Sequence, residues 1–138
     1  MKVIVISECG LTNLSLNIIV QGIKSIVGLG RRIKVDSYYA VENQDIYNQL
    51  NNRDVIILDV ENIPPVFVLK TISQIRDSSP LAYIMVLFRK NEKTDDIICL
   101  SEISDGILCK TASIERIENL IINLLTSRKV PKIFDKSG

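Results

Sequence analysis

The stretch Asp54-Val55-Ile56-Ile57-Leu58-Asp59 decides the fold of this chain. Its unbroken apolar run is typical of a short strand that is buried on both faces, as strands of parallel sheets are. Asp59 then stands at the carboxyl end of the strand, the edge at which open α/β sheets bind their ligands. We therefore predict that this carboxylate belongs to a functional site.

Length and composition exclude several classes of protein. The 138 residues suit one domain, and 17 basic against 16 acidic residues give a net charge of +1, which excludes a global field for nucleic-acid binding. The apolar stretch after Lys2 ends at Ser7, and no apolar run reaches the length of a membrane span, so we expect a cytoplasmic protein without a membrane partner. Three cysteines and no histidine argue against a disulfide framework and against zinc.

Strand-like runs alternate with helical spacing five times along the chain. Because the central strands are almost wholly apolar, helices must cover both faces of the sheet. The predicted fold class is α/β, a doubly wound (βα)5 sandwich of the flavodoxin-like type with a parallel five-stranded sheet of order 2-1-3-4-5. The predicted strands are Lys2–Ile6, Ile33–Ser37, Val55–Asp59, Ala82–Phe88 and Gly106–Cys109.

The helices follow from apolar residues at three- and four-residue steps. The third is predicted to bury Leu69, Ile72 and Ile75, and the fifth to be capped by Ser113. Residues 1–127 form the predicted domain, and residues 128–138, basic and without period, a linker or tail. The predicted helices span Leu11–Val27, Gln44–Asn51, the residues after Pro64-Pro65, Thr94–Ser101 and Ser113–Leu125.

Three charged side chains follow strands that this order brings together. Glu8 follows the first strand, Asp59 ends the third and Lys110 follows the fifth. Because the carboxyl ends of these strands surround one cleft, we expect the three residues to be neighbours. Two interpretations of Lys110 stay open: it takes part in catalysis, or it forms a salt bridge with Asp59 that holds the pocket shut.

At these residues the chain resembles the receiver (CheY-like) domain of two-component response regulators, over residues 1–127. Val3–Leu11 is similar to the family's first strand and acidic pair, and Asp54–Asp59 to the strand that ends in the phosphoacceptor. Asp105–Ser113 is similar to the last strand and its lysine. The order Gly-x-Leu-x-Lys-x-Ala-Ser within that segment is similar to the LuxR-type (NarL-like) subfamily.

The resemblance implies a signalling domain rather than an enzyme. It implies that Asp59 is the phosphoacceptor position, that Lys110 holds the phosphoryl group, and that Mg²⁺ is bound by Glu8, Asp59 and the backbone carbonyl of Glu61. The chemistry agrees, because phosphoryl transfer needs charge stabilisation and magnesium prefers a few oxygen ligands plus waters.

Several residues depart from the family pattern. Ser7 replaces the first acidic residue, so we expect weak magnesium binding. Phe88 stands where a Ser or Thr reports phosphorylation, and a phenyl ring cannot donate that hydrogen bond. Ile107 replaces the aromatic residue that, in the family, moves together with the hydroxyl of that Ser or Thr. Pro64 comes one residue late in the acceptor loop, which predicts a displaced Glu61 carbonyl.

Two main hypotheses follow. In the first, the chain is the atypical receiver domain of a LuxR-type transcription regulator, with weakened or absent phosphorylation switching. It then acts as a homodimer or as a heterodimer with another response regulator, and meets DNA only through a helix-turn-helix domain outside these 138 residues.

In the second hypothesis, Asp59 accepts a phosphoryl group from a histidine kinase in the conventional way, and Lys110 holds the new state. A third, weaker alternative is a small α/β enzyme or ligand binder. Against it, the loops carry neither a glycine-rich phosphate cradle nor a nucleophile-base pair.

Overall fold

Six parallel strands form the sheet at the centre of the molecule. The computed structural model describes residues 2–26, 34–38, 50, 54–61, 63–126 and 133–134. The fourth predicted strand begins one residue later than expected, and the second extends one residue further, with Ile33 outside the described residues. The strands are β1 (Lys2–Ile6), β2 (Lys34–Tyr38), β3 (Val55–Asp59), β4 (Tyr83–Phe88), β5 (Gly106–Cys109) and β6 (Ile133–Phe134).

The order of the sheet is β2-β1-β3-β4-β5-β6, so the predicted order 2-1-3-4-5 is confirmed and extended by one strand. Strand β6 pairs in parallel with β5, with Ile133 beside Gly106 and Phe134 beside Ile107. No strand was predicted in the basic tail, because two residues are too short to show a period. The predicted linker between residues 128 and 138 otherwise lies outside the described residues.

The helices begin where the sequence favours them. Pro65 is the first residue of its helix, where a missing N–H costs nothing. The Oγ of Ser113 accepts a hydrogen bond from the backbone N–H of Arg116 at 3.3 Å, as a capping residue does. None of the described helices is long and apolar enough to cross a membrane. The helices are α1 (Gly10–Ile26), α2 (Pro65–Ser78), α3 (Thr94–Ile103) and α4 (Ile114–Thr126), and the helix predicted at 44–51 lies outside the described residues except at Leu50.

The strands alternate their side chains between two apolar layers, as the period of two requires. One layer joins the sheet to α1 and α4, and its strand residues include Val5, Ile57 and Leu87. The other joins it to α2 and α3, and includes Leu58 and Phe88. Both faces of the sheet are therefore covered, as the sequence predicted.

One predicted core residue was wrong. Leu69 of α2 is 46% exposed, and Val68, at 3%, takes the buried position beside Ile72 and Ile75. Residue 68 lies four and seven positions before these two and so shares their face more closely than residue 69 does. Packing is also close at Gly106, where an added Cβ would lie 3.1 Å from the Leu120 side chain, so this glycine lets α4 approach β5.

Candidate functional site

The carboxyl ends of β1, β3 and β5 carry the polar side chains that meet at one edge of the sheet. Strand β3 pairs with β1 on one side and with β4 on the other, and β4 pairs with β5. The parallel arrangement brings Ser7 and Lys110 within hydrogen-bonding distance of Asp59. The predicted contact of Asp59 with Lys110 is what the structure shows, whereas Glu8, the third residue expected here, is exposed and forms no hydrogen bond or ion pair with the described residues.

Ser7 binds the carboxylate directly. Its hydroxyl donates a hydrogen bond to Oδ2 of Asp59 at 2.6 Å, and Ser7 itself is buried. The same Oγ accepts a hydrogen bond from the backbone N–H of Cys9 at 3.1 Å, so its proton is directed toward Asp59. A hydroxyl that donates to a carboxylate at this distance makes a strong, charge-assisted hydrogen bond.

Asp59 is held on both oxygens. Asp59 is only 5% exposed, and its Oδ1 accepts a hydrogen bond from the backbone N–H of Glu61 at 3.1 Å. The ammonium group of Lys110 lies 2.9 Å from Oδ2, the oxygen that Ser7 also contacts. Three donors thus replace the water that a buried carboxylate loses, as burial of a charge requires.

Lys110 bridges two carboxylates. It forms ion pairs with Asp59 and with Glu61, whose side chain is partly exposed. Partial burial lowers the pKa of Lys110, but the hydrogen bonds with Glu61 and Asp59 together raise it by more, so this pKa lies above its usual range. The Lys110 backbone N–H also donates to the Phe88 carbonyl at 2.7 Å, which fixes the start of the loop after β5.

Comparison with known proteins identifies the fold. No family model and no curated protein matches the chain, but solved structures do. A response regulator receiver domain protein from Clostridium thermocellum shares 16% identity at a TM-score of 0.69, over 90% of this chain and 93% of its own. The receiver domain of RcsB from Salmonella enterica serovar Typhimurium, solved with the phosphomimetic BeF3⁻, shares 16% at a TM-score of 0.65, over 96% and 92%.

The chain has the fold of a response-regulator receiver domain. A protein assigned to pilus assembly (CpaE) from Burkholderia thailandensis is also similar, with 12% identity and a TM-score of 0.69 over 92% of this chain and 99% of its own. The same fold therefore occurs in proteins that are assigned different roles. At these identities, the likeness concerns the fold, and the activity has to be argued from the site.

The predicted magnesium ligands fit a metal poorly in this receiver fold. Glu8 is exposed, and Oδ2 of Asp59 is already bound by Ser7 and Lys110. Among the described residues, no three His, Cys, Asp or Glu side chains are grouped so that they could hold a metal ion. Ser7 brings a neutral hydroxyl to Asp59 where a second carboxylate would bring charge.

The two predicted switch positions are packed in the core. Phe88 and Ile107 are both buried in the layer between the sheet and helices α2 and α3. Neither side chain has a polar atom, so neither can donate a hydrogen bond to a group bound at Asp59. Ile107 lies beside Phe134 of β6 in the sheet register.

Two contributions to the site were missed at the level of sequence. The side chain of Glu61 pairs with Lys110, whereas the sequence had indicated a role only for the backbone carbonyl of this residue. Asn13 is buried, and its amide donates to the carbonyl of Ser7 at 2.8 Å, which ties the loop after β1 to helix α1. The sequence does contain a signal for this role, since Asn13 is a polar residue three positions before Leu16 and so falls on the buried face of α1.

Proposed function

We propose that this chain is an atypical receiver domain that signals through protein association, with phosphoryl transfer to Asp59 weakened or absent. In this proposal the domain is part of a LuxR-type transcription regulator in the cytoplasm. The segment from Gly106 to Ser113 supports the subfamily. Contact with DNA would then be made by a separate helix-turn-helix domain.

The hydrogen bond from Ser7 to Asp59 carries this proposal. A phosphoacceptor carboxylate needs a free oxygen as nucleophile and cationic groups around the oxygens being transferred. Here Oδ2 is engaged by both Ser7 and Lys110, while Oδ1 accepts the N–H of Glu61. The neutral hydroxyl also leaves the pocket one negative charge short of an acidic pair, which lowers its attraction for a divalent cation.

The conventional phosphoacceptor remains the second candidate, and one observation favours it. Lys110 lies 2.9 Å from Asp59, and an ammonium group at this place is suited to hold an oxygen of a phosphoryl group on that carboxylate. The histidine kinase would then be the phosphoryl donor. Accepting the group would require Ser7 and Lys110 to leave Oδ2, while Phe88 and Ile107 offer no hydroxyl to report the change.

Titration with Mg²⁺ and beryllofluoride, followed by amide NMR shifts, separates the two candidates. We expect no saturable shift at Asp59 or Lys110 in the wild-type protein at millimolar Mg²⁺. Ser7→Asp restores the second carboxylate and is expected to raise the affinity for Mg²⁺ by about tenfold or more, or about 1.4 kcal/mol.

Ser7→Asn is the matched control, because it changes the side chain's size similarly without adding a charge, and it should leave magnesium binding weak. A wild-type protein that takes up beryllofluoride at Asp59 would overturn the proposal in favour of the conventional phosphoacceptor.

An exposed apolar stripe on α1 supports the proposal that the domain signals by associating with another protein molecule. Leu11, Leu14 and Ile18 are 72%, 59% and 64% exposed and lie on one face of the helix at steps of three and four residues. No residue from Gly10 to Gly22 is charged, so two copies of this face meet without like-charge repulsion. Apolar patches of this kind on a soluble protein mark sites of interaction.

Leu14→Glu tests this role of α1. The change places a charge at the centre of the stripe, and we expect it to shift a monomer–dimer equilibrium toward monomer by about tenfold or more. Sedimentation velocity over a concentration series measures the shift. Ser73→Glu adds the same charge at an exposed position of α2 and should leave the equilibrium unchanged. Equal dissociation constants for the two variants would rule out this face as the homodimer interface, and a test for binding to an intact response regulator would then take its place.

A further inference from the structure

A cavity lies beside the loop that carries Glu61. It is bounded by the turn after β3 and by helices α2 and α3, and it opens to solvent beside Leu69 and Cys99, which are exposed. Its apolar floor belongs to the buried layer on that face of the sheet. The lining residues are Val60, Ile63, Val68, Leu69, Glu92, Asp96, Cys99 and Leu100.

The size of the cavity limits what can enter it. Its volume is about 140 Å³, close to the roughly 150 Å³ at which an apolar protein cavity accommodates benzene. A single aromatic ring or a short alkyl chain therefore fills the floor, and any larger part of a ligand would lie outside in solvent. Burial of that ring against aliphatic side chains would supply the affinity.

The wall of the cavity carries two charged residue types, and both are acidic. The Glu92 side chain is 11% exposed and pairs with Arg89, on the exposed side of the turn, at 3.3 Å. Asp96 is half-buried in the first turn of α3, and within the described part of the chain no ion pair neutralises it. Lys93 precedes α3 but is exposed and does not line the cavity. An apolar floor with a carboxylate on its wall is complementary to a ring that bears a positive charge.

We propose that this cavity binds a small aromatic or alkyl ammonium ion, and that its occupancy acts on the loop at Glu61. The site is separate from the Asp59 pocket, and its use does not depend on whether Asp59 is phosphorylated. A ligand here would give the domain an input that needs no phosphoryl group.

The connection to the Asp59 pocket runs through a short closed turn. Val60 follows Asp59 directly, and its backbone N–H donates to the Leu87 carbonyl at 3.0 Å. The N–H of Ile63 donates to the carbonyl of Val60 at 3.2 Å, which closes the turn around Glu61. Val60 and Ile63 line the cavity while Glu61 pairs with Lys110. A ligand that packs against the first two residues therefore changes the freedom of the third.

Protection of Cys99 from alkylation tests the site. Benzylamine, benzyl alcohol and benzoate share one ring and differ in charge, so they serve as matched probes. We expect benzylamine to slow iodoacetamide labelling of Cys99 by about threefold or more at saturation, benzyl alcohol to protect less, and benzoate not at all. Mass spectrometry reports each cysteine separately. Free cysteine added to the reaction is the reference for reagent reactivity, because Cys9, whose pKa is lowered chiefly by its hydrogen bonds with Thr12, is also influenced by Lys110.

Two neighbouring aspartates supply the control pair. Asp95 and Asp96 both lie in the first turn of α3, but only Asp96 lines the cavity. Asp96→Asn should abolish the preference for benzylamine over benzyl alcohol, whereas Asp95→Asn should keep it. Both changes remove one negative charge from the first turn of α3 and should destabilise the helix equally. Leu69→Trp fills the mouth from an exposed position and should remove all protection.

Amide shifts measure the connection to Glu61 independently. Saturating benzylamine is expected to shift Val60, Glu61 and Lys110 in the wild-type protein, and to shift none of them in Leu69→Trp. Equal protection by benzoate and benzylamine, or no protection by any probe, would overturn the binding site. Protection of Cys99 with no shift at Glu61 or Lys110 would overturn the effect on the loop.

Discussion

Strand β3 carries a buried aspartate at each end, and the two are held in different ways. Asp54, before the strand, is fully buried, and its Oδ1 accepts the backbone N–H of Lys2 at 3.0 Å while the Lys2 ammonium lies 4.0 Å from Oδ2. Asp59, at the other end, is held at 2.6 Å by the hydroxyl of Ser7 and at 2.9 Å by the ammonium group of Lys110. The residue type and the strand are the same, but the donors differ.

The difference separates a structural edge of the sheet from a functional one. At the amino edge, each carboxylate accepts a backbone N–H beside its side-chain cation: Asp54 that of Lys2, and Asp105 that of Ile84 at 2.8 Å. The backbone hydrogen bonds break only if the chain itself moves. At the carboxyl edge, side chains make most of the bonds to Asp59, and they can rotate away while the sheet stays intact. The second arrangement allows a bound group or a partner to change the site.

Replacing the lysine at each end of β3 should give the largest difference in stability between the two ends. Lys110→Met leaves Asp59 buried without its cation, and we expect the free energy of unfolding to fall by about 3 kcal/mol. Lys2→Met removes a longer pair, 4.0 Å against 2.9 Å, and Asp54 keeps the backbone N–H of residue 2, so the change should cost about 1 kcal/mol or less. Urea unfolding followed by circular dichroism measures both. Equal losses in the two variants would mean that the two ends of β3 are held alike.

Ser7→Ala removes the short hydrogen bond and keeps the lysine. A hydrogen bond to a buried charged group contributes about 2 kcal/mol, so we expect a loss of this size in the free energy of unfolding. Ser101→Ala is the control, because the Ser101 hydroxyl bonds to the carbonyl of Ile98 within α3, at an exposed position, and its loss should cost about 0.5 kcal/mol or less. A Ser7 variant as stable as the control would show that this hydroxyl does not stabilise the Asp59 carboxylate.

Stability at high pH should show the smallest effect. Because its ion pairs raise the pKa of Lys110 in the folded protein above the ordinary value of 10.5, the unfolded chain releases this proton first. The stabilisation is therefore complete below the unfolded pKa and is lost as the pH rises through the folded pKa. The difference in unfolding free energy between wild type and Lys110→Met should shrink between about pH 9 and pH 12. A difference that stays constant over this range would contradict the ion pairs.

The predictable part of the site is the part that follows from strand ends. Asp59 and Lys110 lie at the ends of apolar runs, and parallel strands bring such residues to one edge, so their contact could be predicted. Glu61 was harder, because a loop residue has no periodicity to show where its side chain points. The sequence pattern likewise placed Leu69 in the core instead of Val68, since a shift of one residue on a short helix changes few of the apolar matches.

The amino-acid sequence by itself determined the α/β class, the strand order from β1 to β5 and the residue types at the site, because apolar period and strand ends are local properties of the chain. Only the tertiary structure decided that the Ser7 hydroxyl donates to Asp59, that Glu61 shares Lys110, and that Phe134 lies beside Ile107 in the sheet. These contacts join residues from 27 to 52 positions apart. Their distances depend on how whole elements pack, which no local pattern specifies.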